Sequence, residues 1–364
     1  MNFAPFYRFK AWGLLILAFI LCAPLFAQTY TANFSDARWT TTAGPFACSL
    51  AHNIPGFGSA RFVRNAGSGE FFELKGNKQV FPSGAVKIES VPPLWRDDVS
   101  PAALGQVQVG AQQVRLTAAQ ATAVGTSLGQ GTNVAFSSAQ VGASGNSLRV
   151  VLEARNFAPA YSKYQRCIAQ LIPYTFDQLS RTLINYSNGA EELSPGAKAQ
   201  LDKIVRYTKA DPRVLGIIVD AHSEKLATVE EGEIAAQRQA ELVTNYLIEK
   251  GLGLDKITTR WHGDKFPIAN NQNKSGQAKN RRVTIRLENE ATRKEMEKKI
   301  AAIKEAEQKA AEAQFAATKA AETSSQQQSS GVKPELPIDL QQLEQMVEQQ
   351  DLGSGKQPTP KPAQ

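Results

Sequence analysis

Between residues 28 and about 170 the apolar positions come in short runs, several alternating with polar ones, with Gly, Pro, Asn and Ser between them. A period of two marks strands that bury one face. On this ground Ala60–Val63, Glu70–Leu74, Ala85–Val91, Gln106–Val109, Gln113–Leu116 and Ser147–Glu153 are predicted strands. Pro92-Pro93 stops one of them, because proline brings no N–H to a ladder. The stretch from Gly125 to Gly145 is rich in Gly, Ser and Ala and predicts weak strands and flexible turns. The expectation for 28–170 is an all-β, barrel-like domain.

From about Pro173 the period lengthens. Phe176, Leu179, Leu183 and Ile184 stand at helical spacing. Ser194-Pro195 reads as a helix start with proline at the first helical position, and Leu201, Ile204, Val205 and Thr208 mark the buried face that follows. Leu215–Val219 is a continuous apolar run suited to a central strand. Glu230–Lys250 predicts a long helix with Leu242, Tyr246 and Leu247 on one face and Gly251 as its stop. Ile257–Trp261 and Val283–Leu287 complete a β-α-β-α-β order over 171–288, which predicts an α+β domain with helices packed on one sheet.

Residues 289–322 are Ala, Glu, Lys and Gln with almost no Gly or Pro, so a charged helix is expected, its apolar seam starting at Met296, Ile300 and Ile303. A solvated helix, a spacer and a partner-binding arm all suit it. Residues 323–364 read as a disordered tail, within which Leu340, Leu343 and Val347 suit one short amphipathic helix. At the other end, Arg8 and Lys10 precede an apolar core at 12–21, and Pro24 and Ala27 follow. Ten apolar residues fall short of the roughly 20 that span a bilayer. Residues 1–27 therefore read as a cleavable signal peptide. Lipidation at Cys22 and an uncleaved anchor are the alternatives, the first opposed by Leu21 where a small residue is expected.

Length and charge narrow the function. The 364 residues allow two or three domains. With 42% hydrophobic and 21% charged residues, whole-chain disorder and a multi-spanning membrane protein are excluded. The net charge of +7, or +5 once Arg8 and Lys10 leave with the signal, comes without a basic cluster or a reading motif, so no nucleic-acid partner is implied. Cys48 and Cys167 remain in the exported chain, where an oxidising compartment favours a disulfide. Two buried free thiols are the alternative. No Cys-x-x-Cys pair supports redox catalysis.

The most specific motif is Phe266-Pro-Ile-Ala-Asn270 followed by Asn280-Arg-Arg-Val-Thr-Ile285, with Tyr246-Leu247, Gly251 and Trp261-His-Gly263 upstream. Over about 175–288 this resembles the OmpA-like C-terminal domain. The resemblance implies a two-layer βαβαβ fold that binds peptidoglycan without breaking covalent bonds. It also implies a ligand logic: an aspartate after the first central strand takes the ammonium of diaminopimelate, and an arginine on the next helix clamps its carboxylate. Matched residue by residue, Glu224 stands at the aspartate position and Gln239 at the arginine position. Glutamate keeps the charge and adds a methylene, whereas glutamine keeps hydrogen bonding and loses the charge. Arg238 is adjacent, but one helical step turns it by about 100°. Asn280, Arg281 and Arg282 match the pattern, either as support for the pocket or as structural pairing that closes the last strand.

The N-terminal half carries Phe34-Ser-Asp-Ala-Arg-Trp39, Cys48-Ser-Leu-Ala-His-Asn-Ile-Pro-Gly-Phe-Gly58 and Val91-Pro-Pro-Leu-Trp-Arg96. These look like the N-terminal domain of the MotY family, as do Phe71–Leu74, Tyr174-Thr-Phe-Asp177 and Thr182–Tyr186. The resemblance spans about 29–288. It implies a periplasmic component of the flagellar T ring that associates with the basal-body rings, assembles with a MotX-like protein and helps to place stator units. Its paired cysteines correspond to Cys48 and Cys167. No cofactor is implied.

Other residues invite chemistry and have plainer readings. Trp39 and Trp95 suit a partner surface or, more simply, a β-domain core. His222, Glu224 and His262 lack the further close ligand a metal site needs. Ser223 beside His222 lacks a nucleophile elbow and an acid in order. His52 reads as a surface or turn residue. Three function classes remain: a motor ring component, a general wall-binding envelope protein, and a wall enzyme. The last lacks a base or nucleophile constellation.

Overall fold

The computed structural model describes residues 28–77, 81–93, 95–110, 113–138, 147–324 and Gln345. The expected signal segment 1–27, Cys22 included, and almost all of the expected tail, with Leu340, Leu343 and Val347, lie outside the described residues. The described chain divides into two compact units between Pro173 and Tyr174.

The first unit runs β1 (Gln28–Thr31), β2 (Trp39–Ala43), β3 (Ala47–Ile54), β4 (Gly58–Asn65), β5 (Phe71–Gly76), β6 (Gly84–Val91), β7 (Ala102–Val109), β8 (Gln113–Leu116), α1 (Ala118–Gly129), β9 (Asn133–Ser138), β10 (Leu148–Leu152) and α2 (Phe157–Gln170). Two five-stranded sheets result, ordered β1-β10-β9-β6-β7 and β2-β3-β4-β5-β8. Inward residues of both build one core. Phe62 and Phe72 face each other across β4 and β5, and Phe72 stacks on Phe136 of the other sheet with ring centroids 5.6 Å apart. Removing any one of these buried rings costs about 3–5 kcal/mol.

Two expectations fail here. The unit is β-rich but not all-β, and neither sheet closes into a barrel among the described residues. The end of helix α1 falls in the Gly125–Gly145 stretch expected to form weak strands and flexible turns, and its first turns are not among the predicted elements. It forms because Thr117 and Gln120 make a reciprocal cap, and because Ala121, Val124 and Leu128 fall on one buried face. On α2 the buried residues Phe157, Ala160, Tyr164 and Cys167 likewise keep helical spacing. Cys167 is disulfide-bonded to Cys48 of β3, with Cα atoms 6.0 Å apart, so the bond ties this helix to the second sheet. His52, expected at the surface, is fully buried. It stacks on Trp39 at 4.7 Å, and its Nδ1 lies 2.9 Å from the Arg38 carbonyl oxygen. Trp39 is a core residue whose Nε1 donates to the Glu153 carbonyl, whereas Trp95 is 78% exposed.

The second unit runs α3 (Phe176–Leu179), β11 (Arg181–Asn185), α4 (Pro195–Ala210), β12 (Gly216–His222), α5 (Val229–Glu249), a 3-10 turn (Leu254–Lys256), β13 (Ile257–Trp261), α6 (Lys274–Asn280), β14 (Arg282–Glu288) and α7 (Glu290–Ser324). The sheet order is β11-β14-β12-β13, antiparallel except for β12 with β13. That parallel pair needs a long crossover, and α5 supplies it. Ser194 caps α4 by accepting from the Ala197 N–H, and Gly251 ends α5 in the left-handed region that other residues avoid. The helical reading of Leu183 and Ile184 is corrected: both lie in β11, a fourth strand paired with β14. Four residues are too short a window to separate the two periods. In α7, Glu290–Lys294, Glu295–Lys299 and Glu305–Lys309 pair at i,i+4. Ile300 is buried, and Met296 and Ile303 are half-buried.

Cutting the disulfide should destabilise the first unit substantially. The bond spans 119 residues, for which loop-closure entropy gives about 4–5 kcal/mol. The double variant Cys48→Ala/Cys167→Ala should lower the urea midpoint of this unit by the corresponding amount, with the second unit's transition unmoved. Equal midpoints with and without the bond would refute this.

Candidate functional site

The strands of the second unit deliver four segments to one small hollow of about 40 Å³. Tyr186 follows β11, Ser223 and Glu224 follow β12, Arg238 and Gln239 belong to α5, and Arg281 joins α6 to β14. A larger hollow of about 390 Å³ adjoins it, sharing Tyr186, Ala190, Gln239 and Arg281 and adding apolar walls from Ile184, Leu193 and Val243.

Glu224, Arg281, Tyr186 and Gln239 are each held by a hydrogen-bond partner. Glu224 is buried, and its Oε2 accepts from Arg281 Nη1 at 2.7 Å. The side chains of this pair are 7% and 17% exposed. Arg281 Nε donates to the Tyr186 carbonyl at 3.2 Å, and Tyr186 Oη donates to the His222 carbonyl at 2.5 Å. Burial pushes the Tyr186 phenol well above its ordinary range, against the pull of Arg281 and Arg282. Gln239 is buried and its Nε2 donates to the Ala190 carbonyl at 2.5 Å. Arg238, one helical step away, lies exposed on the rim of the same hollow.

Of the six residues singled out in the sequence, Glu224, Arg238, Gln239 and Arg281 therefore come together, and Asn280 and Arg282 stand behind them. Asn280 is fully buried. Its Oδ1 accepts from the Ile268 and Ala269 N–H groups, and its Nδ2 donates to the Ala269 carbonyl and to Asn271 Oδ1. This folds the 268–271 loop onto α6, where Gly276 is required: a Cβ there would sit 1.8 Å from the Asn270 carbonyl oxygen. Arg282 Nη2 donates to the Phe266 carbonyl at 3.0 Å.

Three features escaped the sequence reading. Ala190 reaches the hollow from a loop with no motif of its own, and Tyr186 figured only at the end of the Thr182–Tyr186 resemblance, with no place in a site. Ser223, dismissed as a nucleophile, lines the hollow with a buried Oγ that makes no hydrogen bond. Asp220, fully buried in β12, accepts from Arg260 Nε at 2.6 Å and Nη2 at 3.0 Å and from Arg286 Nη2 at 3.2 Å. His262 Nε2 lies 3.1 Å from it. Burial alone would raise the Asp220 carboxyl, but His262, Arg260 and Arg286 outweigh it and hold the group well below the usual range. A charge ending the apolar run Leu215–Val219 was the available signal. Next to it, burial pushes the His222 imidazole well down, and Arg282 adds to this. His222 stacks on His262, centroids 5.0 Å apart.

Comparison with known proteins places both units. Residues 30–173 match the MotY N-terminal domain, and residues 185–281 match the OmpA family. The chain is 27% identical over 264 residues to the sodium-type flagellar protein MotY of Vibrio parahaemolyticus, an alignment covering 71% of this chain and 90% of that protein. It is 30% identical over 95 residues to outer membrane protein A of Bordetella avium, covering 26% of this chain and 48% of that protein. Among solved structures, the C-terminal domain of Helicobacter pylori MotB is 20% identical, covering 30% of this chain and 87% of that one, with a TM-score of 0.28. The peptidoglycan-associated lipoprotein from Burkholderia pseudomallei is 21% identical, covering 29% and 89%, with a TM-score of 0.28.

The buried histidine makes the second unit sensitive to mild acid. Because the folded pKa of His222 lies below its unfolded value of 6.5, only the unfolded chain gains a proton as the pH drops through that value. Stability is full above about pH 7 and falls by up to about 1.4 kcal/mol per pH unit below 6. The Asp220 group adds loss in the same direction only below about pH 4. Amide-exchange protection of β12 at pH 5, 6, 7 and 8 should show this slope, and His222→Gln should flatten it. A flat wild-type profile would count against a neutral buried imidazole.

Proposed function

We propose that this chain is a periplasmic component of the flagellar motor, a ring protein whose first unit makes assembly contacts and whose second unit faces peptidoglycan. The observation that carries this reading is the similarity to MotY, which runs through both units over 264 residues. The match of 185–281 to the OmpA family supports a wall-facing role for the second unit. In finer detail, the reading assigns the chain to the T ring beneath the basal-body rings, with a MotX-like partner, where it helps to place stator units. Residues 1–27 would direct export and then be removed.

The physical demand on such a protein is holding rather than chemistry. A stator generating torque pushes back on whatever anchors it. Repeated subunits in a ring multiply weak contacts by raising effective concentration. A disulfide joining α2 to β3 keeps the first unit from yielding locally. The hollow in the second unit offers charges and hydrogen bonds. Among the described residues, Ser223 Oγ meets no base within hydrogen-bonding distance, so nothing there activates a nucleophile.

Deleting the gene should leave filaments assembled and cells paralysed or poorly motile, with stator foci lost from the flagellated pole. Normal swimming and stator placement, in a strain without a paralogue, would end the proposal. Intact swimming with a leaking or misshapen envelope would instead make the chain a general wall-binding protein.

A further inference from the structure

One face of the sheet in the second unit is strongly basic. The hydroxyls of Thr244 on α5 and Thr259 on β13 are hydrogen-bonded at 2.8 Å, so α5 covers the face to which Thr259 points. Side chains alternate along a strand, and Arg260 therefore turns to the other, outer face. The pairing register puts Asp220, Arg282, Arg286 and Arg181 on that face with it. Four guanidiniums there meet one carboxylate, a net charge of +3. Glu288 and Glu295 beside them are matched by Arg293 and Lys299. Arg181 stands directly opposite Arg286, a like-charge pair that a further carboxylate would relieve. Helix α7 passes over this face, and a hollow of about 450 Å³ opens between them, floored by Ile218, Arg181 and Arg286 and walled by Met296 and Lys299.

The C-terminal part of the chain is complementary to it. From Pro334 to Leu352 it carries Glu335, Asp339, Glu344, Glu348 and Asp351, and neither lysine nor arginine. Within this stretch Gln345 is helical, only 1% exposed, and belongs to the second compact unit. Glutamine on a solvated helix stays exposed, so the body of the unit covers this position. A helix through Gln345 puts Gln341 and Glu348 on the same side, with Glu344 next to it. The covered side is thus polar and acidic, which suits a basic surface and not an apolar one. Leu340, Leu343 and Val347 fall on another side of the same helix. They suit the seam of α7, where Ile300 is buried and Met296 and Ile303 are half-buried. Reach is sufficient. Helix α7 has 35 residues and is about 52 Å long, and the chain from Ser324 to Gln345 extends up to about 70 Å.

We propose that residues 334–352 dock on the outer face of their own second unit, alongside α7. Their carboxylates meet Arg181, Arg286 and Lys299, and Leu340, Leu343 and Val347 close against Met296 and Ile300. The chain's own terminus then neutralises the basic face. The proposal stands apart from the wall-facing reading, since this surface lies toward the start of β12 and away from Ser223 and Glu224 beyond its end.

The test is amide exchange on the chain 28–364 at pH 7. Residues 340–350 should be protected at least about tenfold more than residues 325–333. The double variant Glu344→Lys/Glu348→Lys should bring 340–350 down to the level of 325–333. Arg181→Glu and, separately, Lys299→Glu should each cut the protection about threefold or more, with the protection of β12 unchanged to show that the sheet still folds. Two face variants on different elements are used so that a folding defect in one leaves the other to decide. Protection of 340–350 no greater than that of 325–333 in the unaltered chain would overturn the proposal. Protection that grows with protein concentration would overturn it in favour of a second copy's terminus. Protection indifferent to both Arg181→Glu and Lys299→Glu would overturn it too, since the segment would then be seated elsewhere.

Discussion

A single buried carboxylate organises the second unit. Asp220 sits at the middle of the sheet with no exposure to solvent, where an unpaired charge could not be tolerated. It draws Arg260 from β13, His262 from the turn after it and Arg286 from β14. Three strands are thereby pinned around one point. In the parallel pairing Asp220 stands opposite Arg260, so a one-residue slip would turn the arginine to the other face. Such a cluster contributes less to net stability than to specificity of register, since desolvation offsets much of its Coulomb gain. The register matters because β12 ends two residues later, and its end sets where Ser223 and Glu224 emerge.

The site is a consequence of that arrangement together with a folded-back loop. Asn280 uses both its amide oxygen and its amide nitrogen on 268–271, and Gly276 lets the Asn270 carbonyl come close. This holds the end of α6 so that the next residue, Arg281, points at Glu224. Neighbouring residues in one motif thus divide their labour: Asn280 and Arg282 bind backbone carbonyls and amides, and Arg281 faces the hollow. The same alternation separates Gln239 from Arg238 on α5, one buried and one on the rim, because a helix turns by about 100° per residue.

Legibility followed the range of the interactions. Strands with clean alternation, such as the predicted Ala85–Val91 inside β6, were readable because the period of two extends over enough residues. The helix α1 was not, because its helical face is made of Ala, Val and Leu diluted by Gly, Ser and Thr; only the Thr117–Gln120 cap announced it. The strand β11 was mistaken for helix because five residues carry too little periodicity, and its pairing partner β14 lies about 100 residues away. His52 was misplaced for a related reason: its burial against Trp39 depends on strand pairing that a local window does not contain.

The sequence by itself determined the division into a β-rich half and an α+β half, and the long helices with their caps and stops. It also carried the residues Glu224, Arg238, Gln239 and Arg281 that line the hollow. These rest on composition, period and short motifs, all of which act over a few neighbouring residues. Only the tertiary structure decided which of those residues meet. It paired Glu224 with Arg281, tied Gln239 to Ala190, left Arg238 on the rim and buried Ser223 without a partner. It also gathered Asp220, Arg260 and Arg286 from three strands and His262 from the turn after β13. The reason is physical: a charge reveals its role only when its partner is known, and each of these partners lies tens of residues away along the chain.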